Sequence, residues 1–253
     1  MVHPPPLALS LVVPAYCEAH RLPGTLAALE RHVGSAAGGV EVLVVVEQGT
    51  DGTLGLAREW AAQHPAYTVI DSGVQRGKGH AVRAGMRQAR GELVFFMDAD
   101  LSVPLSEIEV FRAYFAAHPE VDVLIGDRQH PRSDIQRRQT FLREHMGQAF
   151  NVLLRTLTGL RWRDTQCGFK AFRQRAAQEI FERQEIAGFA FDVEVLLRAE
   201  ALGRRVASHP VTWINSPASK VRIVTDSLRM LRDVWRVRRL LRDEAQARVS
   251  IPA

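Results

Sequence analysis

Phe95-Phe96-Met97-Asp98-Ala99-Asp100 is an apolar run that stops in two carboxylates one residue apart. A near-continuous apolar run of this length reads as a strand buried on both faces, as in a sheet covered by helices. Outward from it the pattern repeats. Leu7–Pro14, Val40–Val46, Tyr67–Ile70, Glu92–Met97 and Val121–Ile125 all read as strands. Between them Leu22, Leu26, Leu29 and Val33 recur at helical spacing, and similar stripes occupy 53–63, 78–90 and 105–117. Strands alternating with helices predict an α/β fold with a mostly parallel sheet, whose ligands gather at the carboxyl ends of the strands.

After Gly126 the pattern changes. Residues 128–143 hold five arginines and one acid and read as a mobile loop. Helices are predicted over 139–158, 174–183 and 191–202, a polar turn over Asp164–Lys170, and a short apolar segment over Val206–Ile214. From Lys220 to about Ala247 runs an amphipathic helix. Val224, Leu228, Leu231, Val234 and Trp235 share one of its faces, and Arg229, Arg232, Arg236 and Arg239 another. The expected organisation is a body at 1–219 and a basic C-terminal helix at 220–253.

The chain has 253 residues, of which 46% are hydrophobic and 24% charged, enough for a full-sized core. Its two cysteines, Cys17 and Cys167, are too few for a disulfide framework and fit a reducing compartment. Met1–Ser10 lacks a basic start before an apolar stretch, and no apolar run reaches the ~20 residues that span a bilayer. A cytoplasmic protein, soluble or peripheral on the inner face of a membrane, is expected. Residues 220–253 carry nine basic and four acidic residues, so the tail holds the whole net charge of +5 and the body is balanced. That distribution argues against nucleic acid as a partner and for an anionic surface beside the tail. Two readings of the tail stand side by side: a helix packed on the body with a solvated basic face, or an interfacial helix on anionic lipid.

The acid pair Asp98 and Asp100 at a strand end can share a hard divalent cation and leave positions open for phosphate oxygens. A calcium loop is a competitor, because Asp98, Asp100, Ser102 and Glu109 match its spacing. It fails at Val103, where glycine is required. Arg76-Gly77-Lys78-Gly79-His80 opens a helix after a strand, a setting that favours an anion. It is neither a Walker A loop, with Ser72 and Gly79 at the diagnostic places, nor a dinucleotide fingerprint, with Val82 at the third glycine. Pro14-Ala15-Tyr16-Cys17-Glu18 ends the first strand, and there Tyr16 can flank a nucleobase and Glu18 accept its hydrogen bonds.

In this order and spacing, Val13-Pro14-Ala15-Tyr16-Cys17-Glu18, Asp51-Gly52-Thr53, the Gly-Lys-Gly turn and Asp98-Ala99-Asp100 resemble the family 2 glycosyltransferases of GT-A fold. Cys17 stands where the family has asparagine, and Val46-Glu47-Gln48-Gly49 where it has Asp-Asp-Gly-Ser. Asp164-Thr165-Gln166-Cys167-Gly168-Phe169-Lys170, Phe191-Asp192-Val193-Glu194 and Ser219-Lys220-Val221 are similar to the polyprenyl-phosphate (dolichyl-phosphate) glucosyltransferase branch.

The resemblance implies an inverting transfer of a hexose, glucose in that branch, from a nucleotide-diphosphate sugar such as UDP-glucose to a polyprenyl phosphate. It implies that Pro14, Tyr16, Glu18 and Glu47 line the nucleoside pocket, that Lys78 approaches the donor and Asp98 the ribose or metal, and that Asp100 holds Mg2+ or Mn2+. Cations for an acceptor phosphate are Arg128, Lys170, Arg173 and Lys220. A sugar hydroxyl of a glycan as acceptor instead needs a base, for which Asp192, Glu194 and then Asp164 are the candidates. A homodimer is compatible with the sequence. Two further alternatives are a nucleotidyltransferase, disfavoured because Pro14–Glu18 replaces a Gly-rich loop, and a degenerate membrane-associated binding protein, suggested by the change at Val46-Glu47.

Overall fold

A computed structural model describes residues 7–35, 39–137, 141–214 and 223–249. The chain begins with β1 (Leu7–Ala15), α1 (Leu22–Ser35), β2 (Gly39–Gln48), α2 (Thr53–Gln63), β3 (Tyr67–Val74) and α3 (Lys78–Gln88). Then follow β4 (Leu93–Met97), α4 (Ser106–Ala117), β5 (Val123–Asp127), β6 (Ile135–Arg137) and α5 (Phe141–Thr158). It closes with β7 (Phe169–Arg173), α6 (Gln174–Arg183), α7 (Phe191–Ala201), β8 (Val206–Pro210), β9 (Trp213–Ile214) and α8 (Ile223–Val249).

Seven strands form one sheet in the order β3-β2-β1-β4-β7-β5-β8, and β6 pairs with β9 in a small second sheet. All pairings in the large sheet are parallel except those of β7, which is antiparallel to both β4 and β5. The alternation of side chains along each strand builds a core on each face. Val12, Val45, Phe96 and Ile125 face one cluster with residues of α3, α6, α7 and α8. Leu11, Val13, Val44 and Phe95 face the other, with Leu22, Leu26 and Leu29 of α1 and Phe111 of α4. Phe95 and Phe96 are wholly buried on opposite faces, each stabilising the fold by roughly 2–3 kcal/mol.

The first half matches the sequence expectations closely, and the second half departs from them in three places. Asp164–Lys170 is a turn only as far as Gly168. Phe169 then starts a central strand whose antiparallel entry brings the end of that turn to the carboxyl edge beside Met97. The expected mobile loop at 128–143 contains β6 and the start of α5, and the segment Val206–Ile214 divides into β8 and β9.

The C-terminal helix also differs from its expected facing. Met230, Val234 and Val237 are buried in the core and Leu231 packs against it, whereas Trp235 is 62% exposed. Adjacent helical residues lie about 100° apart, so Val234 and Trp235 cannot point the same way. Side chains of Val224 and Leu228, and the boundary at 219/220, lie outside the described residues. No helix among the described residues is long and apolar enough to cross a membrane.

Candidate active site at the carboxyl edge of the sheet

The carboxyl ends of β1, β2, β3, β4 and β5 and the start of antiparallel β7 form one edge, and most of the singled-out residues sit there. Behind β4 come Asp98 and Asp100. The Asp100 Oδ1 accepts a hydrogen bond from the Ser102 amide at 3.0 Å, and Leu101 between them takes a left-handed φ of 48°. Cys17, behind β1, does the same at 51°. Backbone of this kind costs of order 1–3 kcal/mol and is retained where surrounding contacts fix it, commonly at functional sites.

Lys78, the first residue of α3, reaches across the edge to Asp98, Nζ to Oδ1 at 2.6 Å. Burial pulls its ammonium down, but Asp98 and Asp192 outweigh this and hold its pKa above the usual lysine value. The turn before it is clamped from two sides. A side chain on Gly77 (φ 124°) would lie 2.6 Å from the Ala187 carbonyl, so only glycine fits under the 184–190 segment. From below, Glu47 Oε1 accepts the amides of Arg76 and Gly77, both at 2.8 Å. Glu47 is 2% exposed, and its Oε1 is engaged in this anchoring. The departure at Val46-Glu47 thus gives the Gly-Lys-Gly turn a fixed position.

Around Tyr16 the frame is similarly braced. The Glu18 carboxylate grips Arg21 with both oxygens, at 2.7 and 2.9 Å. The carboxylate expected to face a base is thus also an ion-pair partner within the turn. The Glu18 amide donates to Thr53 Oγ1 at 2.8 Å and the Ala19 amide to Asp51 Oδ2 at 2.9 Å. Asp51-Gly52-Thr53 is a brace for the Pro14–Ala19 turn, a role that the sequence offered only as a motif. Pro14 and Tyr16 stay half-buried at the rim.

The predicted bases and acceptor cations are distributed differently from the expectation. Asp192 and Glu194, two apart on α7, point to opposite sides, as helical geometry requires. Asp192 is beside the site but 3% exposed, with Oδ1 taking Lys170 Nζ at 2.5 Å. Burial pushes its carboxyl above the usual range against the pull of Lys170 and Lys78. Glu194 is fully buried away from the edge. It accepts the amides of Glu185 and Ile186 and pairs with Arg198 at 2.7 Å, so it is structural.

Asp164 is also fully buried, gripped by Arg128 at 2.6 and 2.9 Å. Burial raises its pKa, but Arg128 overrides this and holds the carboxyl below the carboxylate range. Arg173 is at the far end of β7, opposite Leu93, where it donates to the Val121 and Phe115 carbonyls. Three residues of strand span ~10 Å, which places it on the wrong edge for any ligand of Asp98. Lys170 is buried and committed to Asp192 and the Cys167 carbonyl. Lys220 lies outside the described residues.

Two cations that the sequence reading passed over lie beside Asp127 at the end of β5. Arg161 and Arg163 are exposed and line an open cavity of about 430 Å³ with Trp162, His130, Ser208 and the buried Asp127. Their signal was visible, since Arg163 directly precedes Asp164 in the motif.

Among the described residues no three His, Cys, Asp or Glu side chains converge as a ready-made metal site. Two carboxylates at a strand end still fit a hard cation that takes its remaining ligands from phosphate and water.

Residues 10–181 match the family described as glycosyl transferase family 2. The chain is 34% identical over 244 residues to a dolichyl-phosphate beta-glucosyltransferase of Drosophila melanogaster, covering 92% of this chain and 75% of that one. It is 33% identical over 223 residues to a Trichomonas vaginalis protein of the same description, covering 85% and 66%. The chain thus spans about two thirds to three quarters of the length of these relatives. Glucosyl-3-phosphoglycerate synthase of Mycobacterium tuberculosis, solved with Mn2+, UDP and glucosyl-3-phosphoglycerate, superposes with a TM-score of 0.60 at 16% identity, covering 98% of this chain and 81% of that one. At that identity the likeness bears on the fold alone, and it is the expected GT-A arrangement. By a match over most of its length, the chain belongs to glycosyl transferase family 2.

Proposed function

We propose that this protein transfers glucose from UDP-glucose to a polyprenyl phosphate with inversion at the anomeric carbon. The observation that carries the reading is the facing of the Asp98 and Asp100 pair and the Gly77-Lys78-Gly79 turn across one sheet edge, with Lys78 on Asp98 at 2.6 Å. The relatives described as dolichyl-phosphate beta-glucosyltransferases support the donor sugar and the acceptor class.

In this reading a phosphate oxygen of the acceptor attacks the anomeric carbon as its bond to the β-phosphate oxygen breaks, and UDP departs with the electron pair. Asp98 and Asp100 would hold Mg2+ or Mn2+, which would supply Lewis-acid stabilisation of the departing diphosphate. The structure with Mn2+ and UDP supports a divalent ion in this fold. Lys78 adds a second positive charge at the donor, and Pro14 and Tyr16 form the nucleoside wall. Asp192, Glu194 and Asp164 are each buried against a cation, which favours an acceptor that needs no base. A phosphate monoester is such an acceptor, being already anionic. What it needs is positive charge, and Arg161 and Arg163 at the open cavity supply it.

The tail supports a location against anionic lipid. Arg232, Arg236 and Arg239 keep side-chain exposures of 81%, 61% and 87% on the outer face of α8, and Trp235 stands among them.

The test is a donor panel of UDP-glucose, UDP-N-acetylglucosamine and GDP-mannose against a short polyprenyl phosphate. The reading expects lipid-linked glucose and free UDP from the first alone. Transfer to a free sugar hydroxyl with none to the lipid would refute it.

A further inference from the structure

Four charges of alternating sign run through the crevice from four different elements: Asp98 after β4, Lys78 at the start of α3, Asp192 at the start of α7 and Lys170 in β7. The inner pair is closed, Lys170 Nζ on Asp192 Oδ1 at 2.5 Å with side chains 0% and 4% exposed. The outer pair is open, Lys78 Nζ on Asp98 Oδ1 at 2.6 Å with side chains 19% and 38% exposed. Lys78 also lies 5.8 Å from the centre of the Phe191 ring, next in sequence to Asp192, and feels the Asp192 charge. Its stem is fixed at the root, because Glu47 and the 184–190 segment hold the turn from which it springs.

An ammonium 2.6 Å from Asp98 Oδ1 occupies one of the two oxygens that a divalent ion, ligated at ~2.0–2.6 Å, would draw on. Both cations on Asp98 at once would repel strongly in a half-buried crevice. We infer that Lys78 is an exchangeable counter-ion: it neutralises Asp98 while the donor site is empty, and gives Asp98 up to the divalent ion only when a diphosphate takes its charge instead. Asp192, anchored by Lys170, keeps the lysine from leaving the crevice during the exchange. The device makes the ion and the nucleotide bind together and disfavours the bare ion. Because coupling between two ligands is reciprocal, each strengthens the other by the same factor. The inference rests on the metal assignment to Asp98 and Asp100.

Binding of Mn2+ alone, followed by electron paramagnetic resonance of the free ion, reads this directly without turnover. For wild type, adding UDP should tighten Mn2+ binding more than about tenfold. Lys78→Met should bind Mn2+ without UDP about tenfold more tightly than wild type, since a competing charge is gone. Lys78→Arg, which keeps the charge, should bind it as weakly as wild type. Lys78→Gln serves in place of the methionine variant if that one does not fold. Mn2+ binding to a folded Lys78→Met or Lys78→Gln that is no tighter than to wild type overturns the exchange. Asp100→Asn separates the two levels: Mn2+ binding with UDP as tight as in wild type would remove the metal assignment itself, and the exchange with it.

Discussion

The Asp164 carboxylate is held by Arg128 at three points: Nε to Oδ2 at 2.6 Å, Nη2 to Oδ1 at 2.9 Å and the Arg128 amide to Oδ2 at 3.0 Å. The pair ties the end of β5 to the turn that enters β7, so the two antiparallel neighbours share one fixed corner of the site. A carboxylate so engaged is a brace. It has no lone pair in position to take a proton from an acceptor.

Asp164→Asn should therefore lower stability, by about 3 kcal/mol, because it leaves Arg128 facing a neutral group in a buried place. The pH dependence has a definite sign. The folded-state pKa of Asp164 is depressed, so its contribution is present above the unfolded carboxylate value near ~4 and is lost as pH falls through the folded value. The gap in melting temperature between wild type and variant should be constant from neutral pH down to about 5 and close at lower pH. A gap that persists unchanged at low pH would contradict the ion pair.

Glu194→Gln should behave as a structural change. Its carboxylate holds the Glu185 and Ile186 amides and Arg198, and through them the segment that presses on Gly77. A loss of about 3 kcal/mol in denaturant unfolding is expected, with kcat below the melting point within a few fold of wild type. A collapse of kcat in a protein of unaltered stability would restore Glu194 as a base.

Glu47→Ala removes the acceptor of two half-buried amides at the Arg76–Gly77 turn. It should cost about 1–3 kcal/mol in stability and raise the KM for the nucleotide sugar about tenfold, with a smaller change in acceptor KM. Steady-state kinetics against each substrate in turn check this. Equal effects on both substrates would mean that the turn is not specific to the donor.

Arg161→Ala combined with Arg163→Ala should raise the KM for a short polyprenyl phosphate by about tenfold or more, since charge-assisted hydrogen bonds to phosphate contribute roughly 1.5–3 kcal/mol each. UDP affinity by calorimetry should be unchanged. An unaltered acceptor KM would move the acceptor phosphate away from this cavity.

The sheet and the acid pair were legible because both are local. Phe95-Phe96-Met97 is apolar on two faces and Asp98 follows at once, so strand, edge and chemistry are written in six residues. Helix periodicity likewise placed α1 to α4 within a few residues. What the sequence hid was pairing over distance. Lys170 reads as the end of a polar turn and a cation for a phosphate until Asp192, 22 residues later, neutralises it in the core. Glu47 looks like a damaged nucleotide motif until the Arg76 and Gly77 amides return to it from 29 and 30 residues away. Period alone separates Glu194 from Asp192 on a helix, whereas Arg173 is set apart from Phe169 by β7, a strand where the sequence reads as a turn.

The central claim is that the carboxylates at the end of β4 hold a divalent ion against the donor diphosphate. Isothermal titration of UDP-glucose into wild type and Asp100→Asn, each with Mn2+ and with chelator, tests it most directly. Wild type should bind the nucleotide sugar at least about tenfold more tightly with Mn2+, and the variant should bind it equally weakly in both conditions. Mn2+-enhanced binding of wild-type strength in Asp100→Asn would contradict the account.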